Sequence, residues 1–126
     1  MDTSRSTTVE EIFTAEAIVA GATAYSRIIG VTKLAGNASL QLELTGDGTA
    51  KVEWVGSLDR DAVVADFIKV NNSSDIITAF TVTSGPGADG KHIYPFSVSL
   101  VRNMCIKITE VSTTDGIVVT AIIAIQ

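Results

Sequence analysis

The chain has 126 residues, of which 46% are hydrophobic and 18% are charged; this is typical of one folded domain and excludes a disordered chain. Lys and Arg number 9 against 14 Asp and Glu, and the resulting net charge of −5 opposes binding to the phosphate backbone of a nucleic acid. One cysteine and one histidine exclude an internal disulfide and the usual Cys/His zinc spacings.

The N-terminal segment is polar and rich in Ser and Thr, and it lacks the apolar core of a secretory signal. We therefore expect synthesis in a cytoplasm, and we predict a flexible arm over 1–10 followed by a single β-sandwich domain over 11–126. The run 8–11 (TVEE) has a capping-box pattern, so a short helix competes with a strand before Gly21. We favour a strand over Ala15 to Ala20, since period-2 alternation continues from there.

Alternation is clearest in two runs, 40–44 (LQLEL) and 50–54 (AKVEW), which are separated by a Gly-Asp-Gly segment. This pattern predicts a β-hairpin with a three-residue loop over 46–48 and with Gly48 at positive φ. A one-residue slip would turn every side chain to the other face of the sheet. The predicted register pairs Leu44 with Ala50, Leu42 with Val52 and Leu40 with Trp54, and it places Trp54 in the core.

Further strands are predicted over 25–31, 76–83, 92–100, 104–111 and 117–125, where β-branched residues alternate between turn signals. Pro95 indicates an edge strand or a bulge, and 58–74 reads as a long connection with one weak strand. Asp115-Gly116 predicts a tight turn that sets Ile108 opposite Ile123 and Ile106 opposite Ile125. The fold class predicted from these elements is all-β: an antiparallel β-sandwich, jelly-roll-like, with about eight strands.

Groups able to carry out catalysis are sparse in this sequence. His92 is the single candidate base and no Gly-x-Ser-x-Gly element accompanies it, while Cys105 lies in an alternating run typical of a buried thiol. The aspartates beside glycines and in loops are interpreted as turn-forming residues, and segment 85–90 lacks the Lys-Ser/Thr ending of a phosphate loop. We expect a non-enzymatic protein, with no catalytic residue, no cofactor and no metal site.

The strand predicted at 117–125 is apolar on both faces. One face carries alternate residues from Ile117 to Ile125, and the other carries Val118, Ile122 and Ala124. Because one face of an antiparallel sheet is ordinarily solvated, this strand predicts contact with another subunit. Ile28 and Ile29 show the same excess of apolar side chains, on both faces of the strand predicted over 25–31. The alternative, a central strand covered by loops of its own chain, stays open. No apolar run is long enough to span a bilayer, and we expect no membrane association.

Three segments resemble a group of small all-β proteins encoded among the structural genes of tailed phages and prophages. They are 39–51 (SLQLELTGDGTAK), 83–91 (TSGPGADGK) and the run from Lys107 to Gln126. Such proteins often read Ser-x-Asp-Gly after the first hairpin, and here Arg60 replaces that glycine. The resemblance implies a virion protein, specifically a capsid decoration (cement) protein on the outside of the head. It implies the major capsid protein and further copies of this chain as partners, with a trimer favoured.

Two interpretations of the functional surface follow. In the first, oligomer or capsid contacts are made by Val9, Ile12, Phe13, Ile28, Ile29, Val118, Ile122 and Ala124. The alternative is a tail, receptor-binding or carbohydrate-binding β-sandwich module, in which Tyr25 or Tyr94 contacts the ligand through its aromatic ring.

Overall fold

The computed structural model describes residues 8–31, 36–69, 75–98 and 101–126. The strands in these residues are β1 (Thr8–Ile18), β2 (Thr23–Tyr25), β3 (Ile29–Gly30), β4 (Asn37–Thr45), β5 (Ala50–Ser57), β6 (Ile68–Lys69), β7 (Asp75–Phe80), β8 (Lys91–Ser97), β9 (Asn103–Glu110) and β10 (Ile117–Ile125). A 3-10 turn covers Val64–Asp66. No helix in the described part of the chain is long and apolar enough to cross a membrane.

The strands form two antiparallel sheets. The first sheet has the order β1-β10-β4-β8, and the second has the order β2-β9-β5, with β6 and β7 both pairing with β5 and the short β3 pairing with β9. Without the two-residue strands β3 and β6, these are two four-stranded sheets in the order of a jelly roll. The predicted fold class, an all-β antiparallel sandwich of jelly-roll type, is confirmed.

The core lies between the two sheets. It is built from alternate residues of the longer strands, because successive side chains of a strand point to opposite faces. Trp54 is 2% exposed, which confirms its predicted core position. The fully buried core positions on four strands are Leu40 and Leu42 of β4, Ala50 and Val52 of β5, Met104, Ile106 and Ile108 of β9, and Val119, Ala121 and Ile123 of β10.

The predicted hairpin of β4 and β5 is wrong. The two strands lie in different sheets, and the Cα partners of Leu42 are Ala121 and His92 rather than Val52. The left-handed glycine of the connection is Gly46, at φ +98°, instead of Gly48. Gly46 is required because a Cβ there would lie 2.7 Å from the carbonyl oxygen of Gly116. The alternation was read correctly, but strands facing each other across a core bury the same alternate residues as a hairpin does.

The predicted turn between β9 and β10 is wrong for the same reason. Segment 111–116 crosses from the second sheet to the first, so Ile108 has Val52 and Ala24 as its Cα partners. Ile123 is paired with Glu10 and Leu40. In a jelly roll, consecutive strands mostly belong to opposite sheets, and these two connections have that form.

A buried carboxylate joins three connections at one end of the sandwich. Glu110 is 1% exposed, and its Oε1 accepts hydrogen bonds from the N–H groups of Gly21 (3.0 Å) and Thr113 (2.8 Å). Its Oε2 accepts from the N–H groups of Thr49 and Ser112, both at 2.8 Å. Burial raises the pKa of Glu110, but the hydrogen bonds outweigh that effect and lower it to about 2. The carboxylate therefore ties the β1–β2, β4–β5 and β9–β10 connections together.

The remaining boundaries differ from the predictions at particular positions. Residues 8–10 of the predicted arm belong to β1, because Thr8 pairs with Ile125; this also makes the helix alternative wrong, while 1–7 lie outside the described residues. The strand predicted over 25–31 is divided into β2 and β3, and 58–69 holds the 3-10 turn and the short β6. Pro95 lies in β8, an edge strand of the first sheet as described, which confirms the prediction for that residue.

Candidate functional site

The most distinctive surface of the molecule is the side of the first sheet that faces away from the second sheet, here called the outer face. Directly paired residues of antiparallel strands point to the same side, so the register gives the rows of this face. One row holds Val9, Ala124, Ser39 and Pro95, and the next holds Glu11, Ile122, Gln41 and Ile93. A third row holds Thr120, Glu43 and Lys91.

The outer face has exposed apolar side chains on three of its four strands. Val9 on β1 is 65% exposed, Ile93 on β8 is 58% exposed and Val118 on β10 is 38% exposed. Ile122 and Ala124 between them are half-buried. These apolar side chains share the face with Ser39, Gln41 and Thr120, and such a mixture of apolar and polar groups is typical of a surface that contacts another protein.

Part of the corresponding side of the second sheet is covered. Val55 and Cys105 point away from the inter-sheet core, yet they are 4% and 0% exposed. Ala62, in the connection that follows β5, is buried as well, and these three residues lie outside the main core cluster. The two outer sides thus differ at these positions: Val55 and Cys105 are shielded, whereas Val9, Ile93 and Val118 of the first sheet are exposed.

Two open depressions follow β4 and β8 along the outer face. One has a volume of 530 Å³ and is lined by residues that include Ser39, Pro95 and Ala124. The other has a volume of 540 Å³ and is lined by residues that include Ile93 and Lys91. The outer face therefore carries two shallow, open recesses along these strands.

Charges of opposite sign lie on the two edges of this face. On the β1 edge, Glu11 accepts a 2.8 Å hydrogen bond from the hydroxyl of Thr14. On the β8 edge, Lys91 has a side chain that is 63% exposed, and its Nζ lies 3.8 Å from Oε1 of Glu43. The face thus carries one carboxylate, Glu11, on β1 and one lysine, Lys91, on β8.

The structure brings together four of the eight predicted interface residues. Val9, Val118, Ile122 and Ala124 lie on the outer face. Ile12 is half-buried and packs against the core. Ile28 is 39% exposed but lies beside β3, which belongs to the second sheet.

Phe13 and Ile29 require a correction. They are 3% and 5% exposed, because their strand partners Ala121 and Met104 point into the inter-sheet core. Their side chains therefore belong to the core of the subunit and are not placed to contact a partner.

Sequence reasoning missed Ile93 and Pro95 as members of the outer face. The signal was present, since both alternate with the inward residues Tyr94 and Phe96 and both are apolar at positions expected to be solvated. Strand β8 has the same two-faced character as β10, in a weaker form.

The two candidate ligand-contacting tyrosines are not brought together. Tyr94 lies on the inward side of β8, stacked on His92 at a ring-centroid distance of 3.9 Å and edge-on to Phe80 at 6.1 Å. Burial raises the pKa of Tyr94. Tyr25 is 43% exposed on the second sheet, where Nζ of Lys107 lies 5.9 Å from its ring centroid. The two rings therefore do not form one platform for a sugar.

The side chains considered as candidates for catalysis or metal binding are buried or hydrogen-bonded within the fold. Burial raises the pKa of Cys105 to about 11, so its thiol is protonated at neutral pH and is a poor nucleophile. Nδ1 of His92 donates to the carbonyl oxygen of Ile93 at 2.9 Å. Asp59 and Asp89 accept hydrogen bonds from the backbone N–H groups of Asp61 and Lys91, which confirms their turn-forming role. Among the described residues, no three His, Cys, Asp or Glu side chains converge on a metal position.

Comparisons with known proteins give weak similarities. No protein-family model matches the chain, and no curated protein does. Among solved structures, the chain is similar to Aeromonas hydrophila PliG, a periplasmic lysozyme inhibitor of g-type lysozyme. That alignment has 8% identity and a TM-score of 0.48, and it covers 100% of this chain and 91% of PliG. The chain is also similar to the SPBc2 prophage-derived protein YomS, at 11% identity with a TM-score of 0.47 over 98% and 97% of the two chains. Both similarities are too weak to bear on function.

Proposed function

We propose that this chain is a non-enzymatic structural protein of a phage virion, a capsid decoration protein that binds the outside of the head and stabilises the shell. The observation that carries the proposal is the outer face, which exposes Val9, Ile93 and Val118 on an otherwise compact sandwich. Such a surface serves contacts between proteins better than it serves chemistry. The resemblance of segments 39–51, 83–91 and 107–126 to small phage structural proteins supplies the virion context.

The physical properties of the chain suit this role. The single thiol is buried, so assembly in a reducing host cytoplasm leaves the fold unchanged. The net charge of −5 discourages adsorption to packaged DNA. Each contact with the major capsid protein can be small, because attachment of an oligomer at several points multiplies the effective affinity. The trimer expected from the resemblance stays a prediction.

The test is binding of the purified protein to heads of the phage whose genome encodes it. Emptied or expanded heads are mixed with the protein, sedimented and analysed for bound protein and for resistance to thermal rupture. We expect saturable binding and a higher rupture temperature. A folded protein that neither sediments with the heads nor changes their rupture temperature would contradict the proposal.

A pair of variants links binding to the outer face. Ile122→Lys introduces a charge into the apolar rows, whereas Val63→Lys makes the same change at a side chain that is 58% exposed in the connection after β5. We expect the first variant to lose head binding and the second to retain it, with both keeping the far-ultraviolet circular dichroism of the parent. Equal binding by the two variants would remove the outer face from the proposal.

A further inference from the structure

We propose that the outer face packs against the outer face of a second copy of this chain. The two copies are related by a two-fold axis that lies in the plane of contact, runs parallel to the strands and passes between β10 and β4. The inference rests on the proposed function in one respect, the use of this face for contact between proteins. It names a second copy of this chain as the partner of the face, and it replaces the trimer that the resemblance implies with a two-fold dimer.

A second sheet fits this face. Two sheets pack about 10 Å apart with their strand directions within about 30° of each other. Inside the subunit, the first sheet already packs in this way on its inner side, through Leu40, Leu42 and Ala121. The outer side offers the alternating side chains of Val9, Ile122 and Ile93 without such cover. An identical sheet presents the same spacing and the same pleat.

The register makes the face complementary to itself under this axis. Rotation about a line parallel to the strands exchanges β1 with β8 and β10 with β4, because the strand order is β1-β10-β4-β8. Residues of one row then face residues of the same row. Val9 lies over the partner's Pro95, two exposed apolar side chains, and Ala124 lies over the partner's Ser39. Small residues face each other at the centre of that row, which permits close approach.

Charge selects this axis over the alternative. With the axis parallel to the strands, Glu11 lies over the partner's Ile93, and the partner's Lys91 is two residues farther along the same strand, about 7 Å away. An extended lysine side chain spans most of that distance. With the axis perpendicular to the strands, β1 would face β1 of the second copy, and Glu11 would lie over the same strand as the partner's Glu11 with no lysine opposite it. In an isologous contact residue i meets residue j and j meets i, and protein interfaces pair unlike charges, which favours the first axis.

The area predicts a weak dimer. Four strands about 4.8 Å apart, over about seven residues of about 3.4 Å each, make a face of roughly 450 Å². A standard stable interface buries about 800 Å² on each partner. We therefore expect dimers that form with increasing concentration and exchange rapidly with monomers.

The first experiment is sedimentation velocity, with multi-angle light scattering, on the purified chain from about 1 μM to about 1 mM. The weight-average mass should rise from 13.2 kDa toward twice that value. A mass that stays at the monomer value over the whole range would overturn the proposal, and so would a mass that converges on a trimer.

The second experiment is a charge exchange across the proposed contact. Glu11→Lys and Lys91→Glu should each raise the dimer dissociation constant about tenfold or more, because each places like charges opposite each other. The double variant should restore the parental constant to within about threefold. No restoration in the double variant would overturn the two-fold geometry.

The matched control is Glu16→Lys. Glu16 is an exposed carboxylate on the same strand, but it is paired with Val119, which points into the core, so it lies off the rows of the outer face. Its replacement should leave the dissociation constant unchanged. A loss of dimer equal to that of Glu11→Lys would show that net charge, rather than the proposed pairing, governs association.

These measurements contain no phage heads, so they separate the inference from the proposed function. A chain that dimerises by this face but ignores heads would overturn the decoration role and support the pairing. A chain that binds heads as a monomer, with no dimer at any concentration, would do the reverse.

Discussion

Leu42 tests the assignment of β4 to the first sheet with its side chain in the inter-sheet core. This residue is fully buried, and its strand has paired neighbours on both sides, with Ala121 and His92 as Cα partners. Leu42→Ala removes apolar groups worth about 2 kcal/mol of transfer free energy. The cavity adds about 1–2 kcal/mol, because strands hydrogen-bonded on both sides cannot move in to fill it. We expect a loss of about 3–4 kcal/mol in the free energy of unfolding.

The assay is equilibrium urea unfolding followed by Trp54 fluorescence and by circular dichroism. With a slope of about 1.5–2 kcal/mol per molar urea, the midpoint should fall by about 2 M while the slope stays constant. Leu58→Ala is the matched control, because Leu58 is 72% exposed and its truncation should change stability by less than about 0.5 kcal/mol. A loss below about 1 kcal/mol for Leu42→Ala, or equal losses for both variants, would refute the placement of Leu42 between the sheets.

Three further predictions concern other parts of the fold. The pKa of Glu110 is about 2 in the folded chain against an ordinary value of 4.5, so its stabilising contribution is complete above about pH 4.5 and disappears as the pH falls toward 2. Urea titrations should show that Glu110→Gln is less stable at pH 7 and loses less stability than the parent between pH 5 and 2; parallel pH profiles would contradict this. The Cys105 thiol should resist an aromatic disulfide reagent in the native protein and react within minutes in urea, and rapid native reaction would show that the site opens. Gly90→Ala should lower the melting temperature strongly, because Gly90 has φ +79° and a Cβ would overlap the carbonyl oxygen of Leu44; Gly87→Ala, next to the movable Asp89 side chain, should have little effect.

The alternation in the sequence predicts burial well and strand neighbours poorly. The predicted strand 117–125 matches β10 in both bounds, and Leu42, Val52 and Trp54 are buried as expected. The predicted strand neighbours were wrong because a period of two shows which side of a strand is buried, and it does not show which strand lies beside it. Strands β4 and β5 bury the same alternate residues in two facing sheets as they would in one hairpin. A Gly-Asp-Gly segment can connect strands of two different sheets as well as the two strands of a hairpin.

The outer face was predicted in part. Val118, Ile122 and Ala124 alternate with a buried set, so their common face could be read directly from the sequence. Phe13 and Ile29 each follow another apolar residue, so both members of each pair are candidates for burial. The sequence carries no sign of which one is buried.

Glu110 was missed altogether. Its partners Gly21 and Thr49 are 89 and 61 residues away along the chain, and nothing local distinguishes it from a solvated carboxylate in a strand.

The position of β10 has a consequence for how the protein is made. This strand follows the other described strands along the chain and is inserted between β1 and β4, so the first sheet cannot close before Ile125 has emerged from the ribosome. Until then the nascent chain holds β1 and β4 with open edges and with apolar side chains exposed to water, a state prone to aggregation and suited to chaperone binding. Because nearly every pairing joins distant segments, folding of the released chain should be slow for a protein of this size.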